Sequence, residues 1–231
     1  MGRTRPTGTA GPVLSDQAQQ RIKEDILAGV LEPGEKLQLE SISERYRIGL
    51  APVREALNRL SAEGWVTRRS QRGFFVSELS IADLEELVKT RIWMETLALR
   101  EAIANATSEW EDRIILAYHR LARTTRLSDR AEDLVVNPDW EHCHHEFHLQ
   151  LLSACGSGWM MQFCSLMMDQ SVRYRNLSVQ FTQARRGDAL VEHERLLNAV
   201  LDLDADQATC LLAEHYTQTL EGLRERLSAA G

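Results

Sequence analysis

Four of the seven histidines in this 231-residue chain lie between Trp140 and Leu152. On a helix, Trp140, His144, Phe147, His148 and Leu151 share one face, which puts two imidazoles one turn apart on an apolar stripe. Two imidazoles at i and i+4 can hold one metal ion from a single helix. His142 and His145 point off that stripe and read as surface residues. Two further histidines occupy the same kind of position: His193 aligns with Leu190, Leu197 and Val200, and His215 with Leu211, Leu212 and Thr219. For any one of these a hydrogen-bonded core role is as good a reading as ligation. Four together are harder to explain by packing, because each unpaired imidazole in an apolar core costs about 1–3 kcal/mol. One shared ion removes that cost.

A second group suits a carboxylate. Leu84, Leu87, Val88, Arg91, Glu95, Ala98 and Ala102 fall on one helical stripe, so Arg91 sits where an apolar residue is expected. It forms either an internal ion pair with Glu95, one turn on, or a fork for a ligand carboxylate. Arg173, Tyr174 and Arg175 offer a second anchor, or a solvated basic face. The run from Trp159 to Met168 reads as core or dimer contact, not a cofactor box.

The elements that must position these groups are helices. After Ser80 the spacing predicts helices over 81–106, 108–126, 130–154, 157–182, 187–203 and 205–227, with breaks at Thr107-Ser108, Ser128-Asp129, Gly156-Ser157-Gly158 and Gly187. Ser80 can cap the first of these, with Asp83 completing a capping box. Short links between amphipathic helices imply an antiparallel bundle.

The first third differs. A helix is expected from Ser15 to Ala28, ended by Gly29, then a turn at Glu32-Pro33-Gly34-Glu35. A short helix capped by Ser41 follows, with Glu44 closing the box. Gly49 breaks the chain, and Pro52 suits the first turn of the next helix. There Val53, Ala56, Leu57 and Leu60 form the buried face, while Arg54, Asn58 and Arg59 lie off it. Gly64 ends the helix. Trp65 to Thr67 and Phe74 to Val76 flank a basic tip, Arg68 to Gly73, as a hairpin. A helix held by its back with Arg and Asn forward fits a major groove, and a basic hairpin beside it fits phosphate or minor groove.

The stretch Ala51-Pro-Val-Arg-Glu-Ala-Leu-Asn-Arg-Leu60, followed by the Gly73-centred tip, resembles the winged helix-turn-helix of the GntR family of bacterial transcription regulators. The helical remainder resembles the FadR-type branch, whose effector-binding domain is called FCD. The resemblance implies a mainly α fold: a winged helix-turn-helix of three helices plus a small β-wing, joined to an antiparallel all-α helical bundle. The expected parts are a disordered arm over 1–12, the DNA-binding domain over 13–78, and the effector-binding and dimerisation domain over 79–231. Candidate DNA contacts are Arg45, Arg54, Asn58, Arg59, Arg68, Arg69, Arg72 and Gly73. Where many members carry Ser-Arg-Thr before the proline, this chain has Gly49-Leu50-Ala51, which shifts readout toward Arg54 and the wing.

The resemblance also bears on the histidines. Metal-binding FCD members show an Asp, a His four residues later, then one His on each of two later helices. The three histidines match His148, His193 and His215, and the Asp position is His144 here. An all-imidazole shell favours Zn first, with Ni or Cu also suited, over Mn or Mg. Losing the carboxylate leaves the ion its full +2 charge toward an anion. The matching arginine of FCD domains, ahead of an x-x-x-Glu, faces the effector cavity, which implies an effector contact at Arg91 beside Glu95; Arg173 and Tyr174 are the candidate second anchor.

Bulk properties agree with this division. Residues 1–78 carry 12 Lys and Arg against 10 Asp and Glu; the remainder carries 15 against 24. A basic patch on an acidic protein, net −7, orients docking on DNA. The cysteines, at 143, 155, 164 and 210, lack ligand spacing and read as reduced thiols in a cytoplasm. No apolar run is long enough to span a bilayer. The expectation is a cytoplasmic homodimeric repressor of double-stranded operator DNA, not an enzyme, responding to a mono- or dicarboxylate at a His-rich metal site. The rivals are a regulator for which the ion itself is the signal, and a metal-dependent hydrolase.

Overall fold

The computed structural model describes residues 14–127, 136–179 and 188–229, and the chain divides into two compact units, 1–78 and 79–231. The expected arm over 1–12 and the breaks at Ser128-Asp129 and Gly187 lie outside the described residues.

In the first unit, α1 (Leu14–Leu27) and α3 (Leu50–Ala62) pack through Ala18, Ile22, Val53, Ala56 and Leu57, all fully buried. Between them α2 (Leu39–Tyr46) begins two residues before the expected cap. Gln38 occupies the cap position without a side-chain bond, so Ser41 lies inside the helix. Gly49 lies in the break between α2 and α3 as expected, and the residue in the left-handed conformation is Arg47, φ 56°. Its N–H bonds Glu44 O and that of Ile48 bonds Ser43 O, while Ser43 Oγ donates to Ile48 O. Such a closure satisfies the last carbonyls of α2. Gly64, φ 81°, ends α3 as its position predicts.

The wing is β2 (Val66–Arg69) paired antiparallel with β3 (Gly73–Val76), Arg69 opposite Gly73. A strand absent from the sequence reading, β1 (Lys36–Leu37), pairs with the other edge of β3, giving the order β1-β3-β2. Two residues are too few to show alternation. The strand shows in its pairing, Lys36 opposite Phe75 and Leu37 opposite Phe74, and in the burial of Leu37.

The second unit holds α4 (Ile81–Ala104), α5 (Ser108–Arg123), α6 (Pro138–Leu152), α7 (Gly158–Val179), α8 (Asp188–Leu201) and α9 (Ala205–Ala229). Helix α4 lies against α6, α7 and α9, and α8 against α5 and α9. Ser80 caps α4 by accepting from Asp83 N at 3.1 Å. The Asp83 carboxylate does not complete the box; it accepts from the Tyr174 hydroxyl. The predicted helix over 130–154 starts only at Pro138. Val136 bridges Leu127, and Asn137 caps the helix with Oδ1 on Asp139 N. Proline at the first helical position was the signal for that start. Trp110, fully buried, donates its indole N–H to Gln150 O at 2.9 Å and ties α5 to α6.

Candidate functional site

The apolar face of α6 decides where its histidines go. Trp140, Phe147 and Leu151 bury that face, and His144 and His148 go in with them. His193 of α8 is also buried, and the His215 side chain of α9 is 11 % exposed. One nitrogen of each of the four lies within 4.8 Å of one nitrogen of every other. His142 is exposed and His145 half-buried, off the cluster.

Hydrogen-bond partners determine which nitrogens face inward. His193 Nδ1 lies 2.5 Å from Ala189 O, a carbonyl that can only accept, so Nδ1 carries the proton. His215 Nδ1 lies 2.7 Å from the Glu192 carboxylate and is likewise the donor. The Tyr216 hydroxyl spends its one proton on Glu95 Oε2, at 2.6 Å. Toward His148 Nδ1, 3.3 Å away, that oxygen must accept. Each assignment leaves Nε2 as a bare lone pair. The Nε2 atoms of His148 and His193 are 3.2 Å apart. Two lone pairs at that distance repel unless a cation sits between them. Fixing the outer nitrogen this way is how protein scaffolds orient metal-bound imidazoles. His144 is held differently: it stacks on Trp140, ring centroids 4.7 Å apart, and its Nδ1 is 4.0 Å from Glu141, too far for a hydrogen bond.

A proton is a poor candidate for that cation. Burial pushes His144, His148 and His193 well below the usual imidazole range, and neighbouring imidazoles and Arg175 push the same way. The linkage has a definite sign. An unfolded histidine takes up a proton near pH 6.5 while the buried ones do not, so the unfolded state binds more protons below that pH. Stability of metal-free protein should be complete above about pH 6.5. It should fall on acidification by up to about 1.4 kcal/mol per pH unit for each of the three. Thermal midpoints of chelator-treated protein between pH 8 and 5 measure this, and a flat profile would contradict it.

Beside the centre lies the carboxylate fork. Arg91 Nε donates to Glu95 Oε1 at 2.6 Å, Nη2 to Oε2 at 3.3 Å, and Nη1 to Ser171 Oγ at 3.0 Å. Its guanidinium lies 4.1 Å over the Tyr216 ring. Burial opposes the Arg91 charge, but Glu95 and Tyr216 together with weaker neighbours more than offset that and raise its pKa. Of the two readings of Arg91, the internal pair is the arrangement seen. Tyr216 connects that pair to His148. Arg173 is buried and donates to Gln170 at 3.2 Å, while Tyr174 is committed to Asp83. Arg175 clamps Glu141 through two bonds, 3.1 and 2.7 Å, beside His144. Glu141, Glu192, Ser171 and Tyr216 went unnoticed in the sequence. Glu192, next to His193, and Tyr216, next to His215, carried the hint of this place.

The first unit has a groove of about 520 Å³ between α3 and the wing, where Arg54, Asn58, Arg68, Arg69 and Gly73 come together. Among the described residues Arg54, Arg68 and Arg72 form no ion pair. Arg45 pairs with Asp25 at 3.1 Å, Arg59 with Asp16 and Glu55 at 2.5 Å each, and Arg69 with Glu78 at 2.8 Å. Such exposed pairs add little to stability and can be exchanged for phosphate. Arg59 nevertheless faces α1, away from the groove its neighbours line.

Comparison with known proteins places this geometry. The model for bacterial regulatory proteins of the gntR family matches residues 14–76, and that for the FCD domain matches 86–218. The chain is 34 % identical over 232 residues to a protein of Paraburkholderia xenovorans named as the uncharacterized HTH-type transcriptional regulator BphR, covering 97 % of this chain and 94 % of that protein. It is 31 % identical to the HTH-type transcriptional repressor GlaR of Escherichia coli, covering 90 % and 94 %. Among solved structures, Escherichia coli McbR/YncC superposes with a TM-score of 0.75 at 20 % identity, over 94 % of this chain and all of that one, a likeness of fold.

Proposed function

This chain belongs to the gntR family of bacterial regulatory proteins and carries an FCD domain, and from that premise we propose a homodimeric repressor whose hold on operator DNA is set by a small organic acid bound at the four-histidine centre. That it is a DNA-binding transcription regulator rather than an enzyme follows from the family. The rest is our reading. Its main support is the proton accounting: three imidazoles keep an unprotonated Nε2, in a cluster of four whose nitrogens lie within 4.8 Å of one another. His144, His148, His193 and His215 would hold a divalent transition metal, Zn first and Ni second. Bound there, the ion would offer its positive charge to an anionic oxygen.

Arg91 is the anchor we propose for the acid, with Glu95 the carboxylate that the acid displaces. Arg173 and Arg175 add positive charge on the α7 side, and Tyr174 positions α7 through Asp83 instead of touching the acid. Repression is supported by the name of the GlaR relative. A dimer is supported by apolar side chains left uncovered on α4 and α7: Trp93, Leu97, Trp159 and Phe163 are each half or more exposed. No helix among the described residues is long and apolar enough to cross a membrane. Operator binding would place the protein in the cytoplasm.

One observation favours a second reading. Four imidazoles complete the shell of a four-coordinate ion. If all four bind Zn at once, no position is left for an acid, and the ion itself is the signal. His144, held by stacking alone, is the ligand able to leave a position open. Operator binding by metal-loaded protein separates the two readings. We expect one or more mono- or dicarboxylates to raise its melting midpoint and release operator, with metal-free protein unresponsive. Full release by metal titration without acid would establish the ion as signal, and no response to any carboxylate would end the acid reading.

A further inference from the structure

At the leading end of α3 the chain places an apolar side chain in water. Leu50 is the first residue of the helix and is 47 % exposed. It begins a row at i, i+4 and i+8 whose other members are Arg54 and Asn58, both exposed and both lining the groove beside the wing. The buried face of α3 is complete without it: Val53, Ala56, Leu57 and Leu60 are fully buried. The Leu50 side chain therefore adds nothing to the core, and it has no group that can hydrogen-bond a phosphate or a base heteroatom. The major groove presents one apolar feature, the C5 methyl group of thymine. A helix that enters the groove by its N-terminal end brings its first residue to the base edges. We propose that Leu50 is a specificity-determining residue that reads a thymine through its methyl group, in the same row from which Arg54 and Asn58 offer hydrogen bonds to neighbouring bases.

This inference rests on the reading of the head as a sequence-specific DNA binder, and the test keeps the two apart. Wild-type protein first enriches its operator from a random duplex pool. Each dT of that operator is then replaced singly by dU, which removes only the methyl group. One position in each half-site should lose about fourfold in affinity, the worth of one buried methyl group. Leu50→Ala, at an exposed site where the fold is not at stake, should lose about the same on the dT operator and be indifferent to dU there. Leu50→Arg should enrich dG at that position, since arginine bonds guanine O6 and N7. If every dU substitution is neutral for wild type, or Leu50→Ala keeps the full dU penalty, the inference is overturned. A pool from which wild type enriches nothing would defeat the sequence-specific reading at the earlier step, and this inference with it.

Discussion

Replacing Glu95 by alanine should destabilise the helical unit by about 3–5 kcal/mol, the cost of leaving a buried charge without its partner. The Glu95 side chain is fully buried and that of Arg91 is 6 % exposed, so solvent cannot take over the carboxylate's role. The guanidinium cannot escape by losing its proton. Tyr216 loses its acceptor in the same stroke. Denaturant or thermal unfolding of the full chain measures the loss. The double variant Arg91→Met/Glu95→Leu should recover most of it, because well-packed apolar residues replace buried pairs at little cost. A double variant no more stable than Glu95→Ala would show that the ion pair is not the origin. Glu95→Ala within about 1 kcal/mol of wild type would remove the pair from the account of stability.

His148→Ala should abolish metal binding in protein purified without a histidine tag, taking bound ion from about one equivalent to below a tenth, since a ligand and its bare Nε2 are both gone. His142→Ala, at an exposed position on the same helix, should leave the metal in place. Tyr216→Phe keeps the ring over Arg91 but removes the oxygen that holds His148 Nδ1. Loss of such an outer partner weakens metal affinity by about 10–100-fold. Wild-type protein with less than a tenth of an equivalent, and with folding indifferent to chelation, would end the metal reading. Ni-loaded and Zn-loaded protein then separate the roles of His144, because a six-coordinate ion keeps positions that four imidazoles on Zn would fill.

Much of this was legible before coordinates, and for a physical reason. The 3.6-residue period marks which face of a helix is buried, so His144, His148, His193 and His215 could be placed inward one helix at a time. That they meet was an expectation from four similar placements and from family resemblance. The structure brings their nitrogens within 4.8 Å. The partners that orient two of them were not legible, because Glu192 reaches His215 and Tyr216 reaches His148 from another helix, by routes that no periodicity describes. Arg91 left two readings open from sequence, since one stripe position cannot say which carboxylate fills a fork. In the head, Gly49 marks the break between α2 and α3, as its type predicts. The left-handed residue is Arg47, which bears that conformation at a cost of about 1–2 kcal/mol offset by the bonds that close α2. The start of α6 at Pro138, where the spacing predicts a helix from 130, follows the Asn137-Pro138 cap signal.

The imidazole centre joins points about 70 residues apart along the chain without using any of the four free thiols. An ion there would work as a cross-link that reducing conditions cannot open and that only metal supply controls. Scarcity of the ion would first shorten the life of the protein, by letting its second half loosen, before changing which DNA it reads. The amount of regulator in a cell, and not just its occupancy by effector, would then carry information about metal.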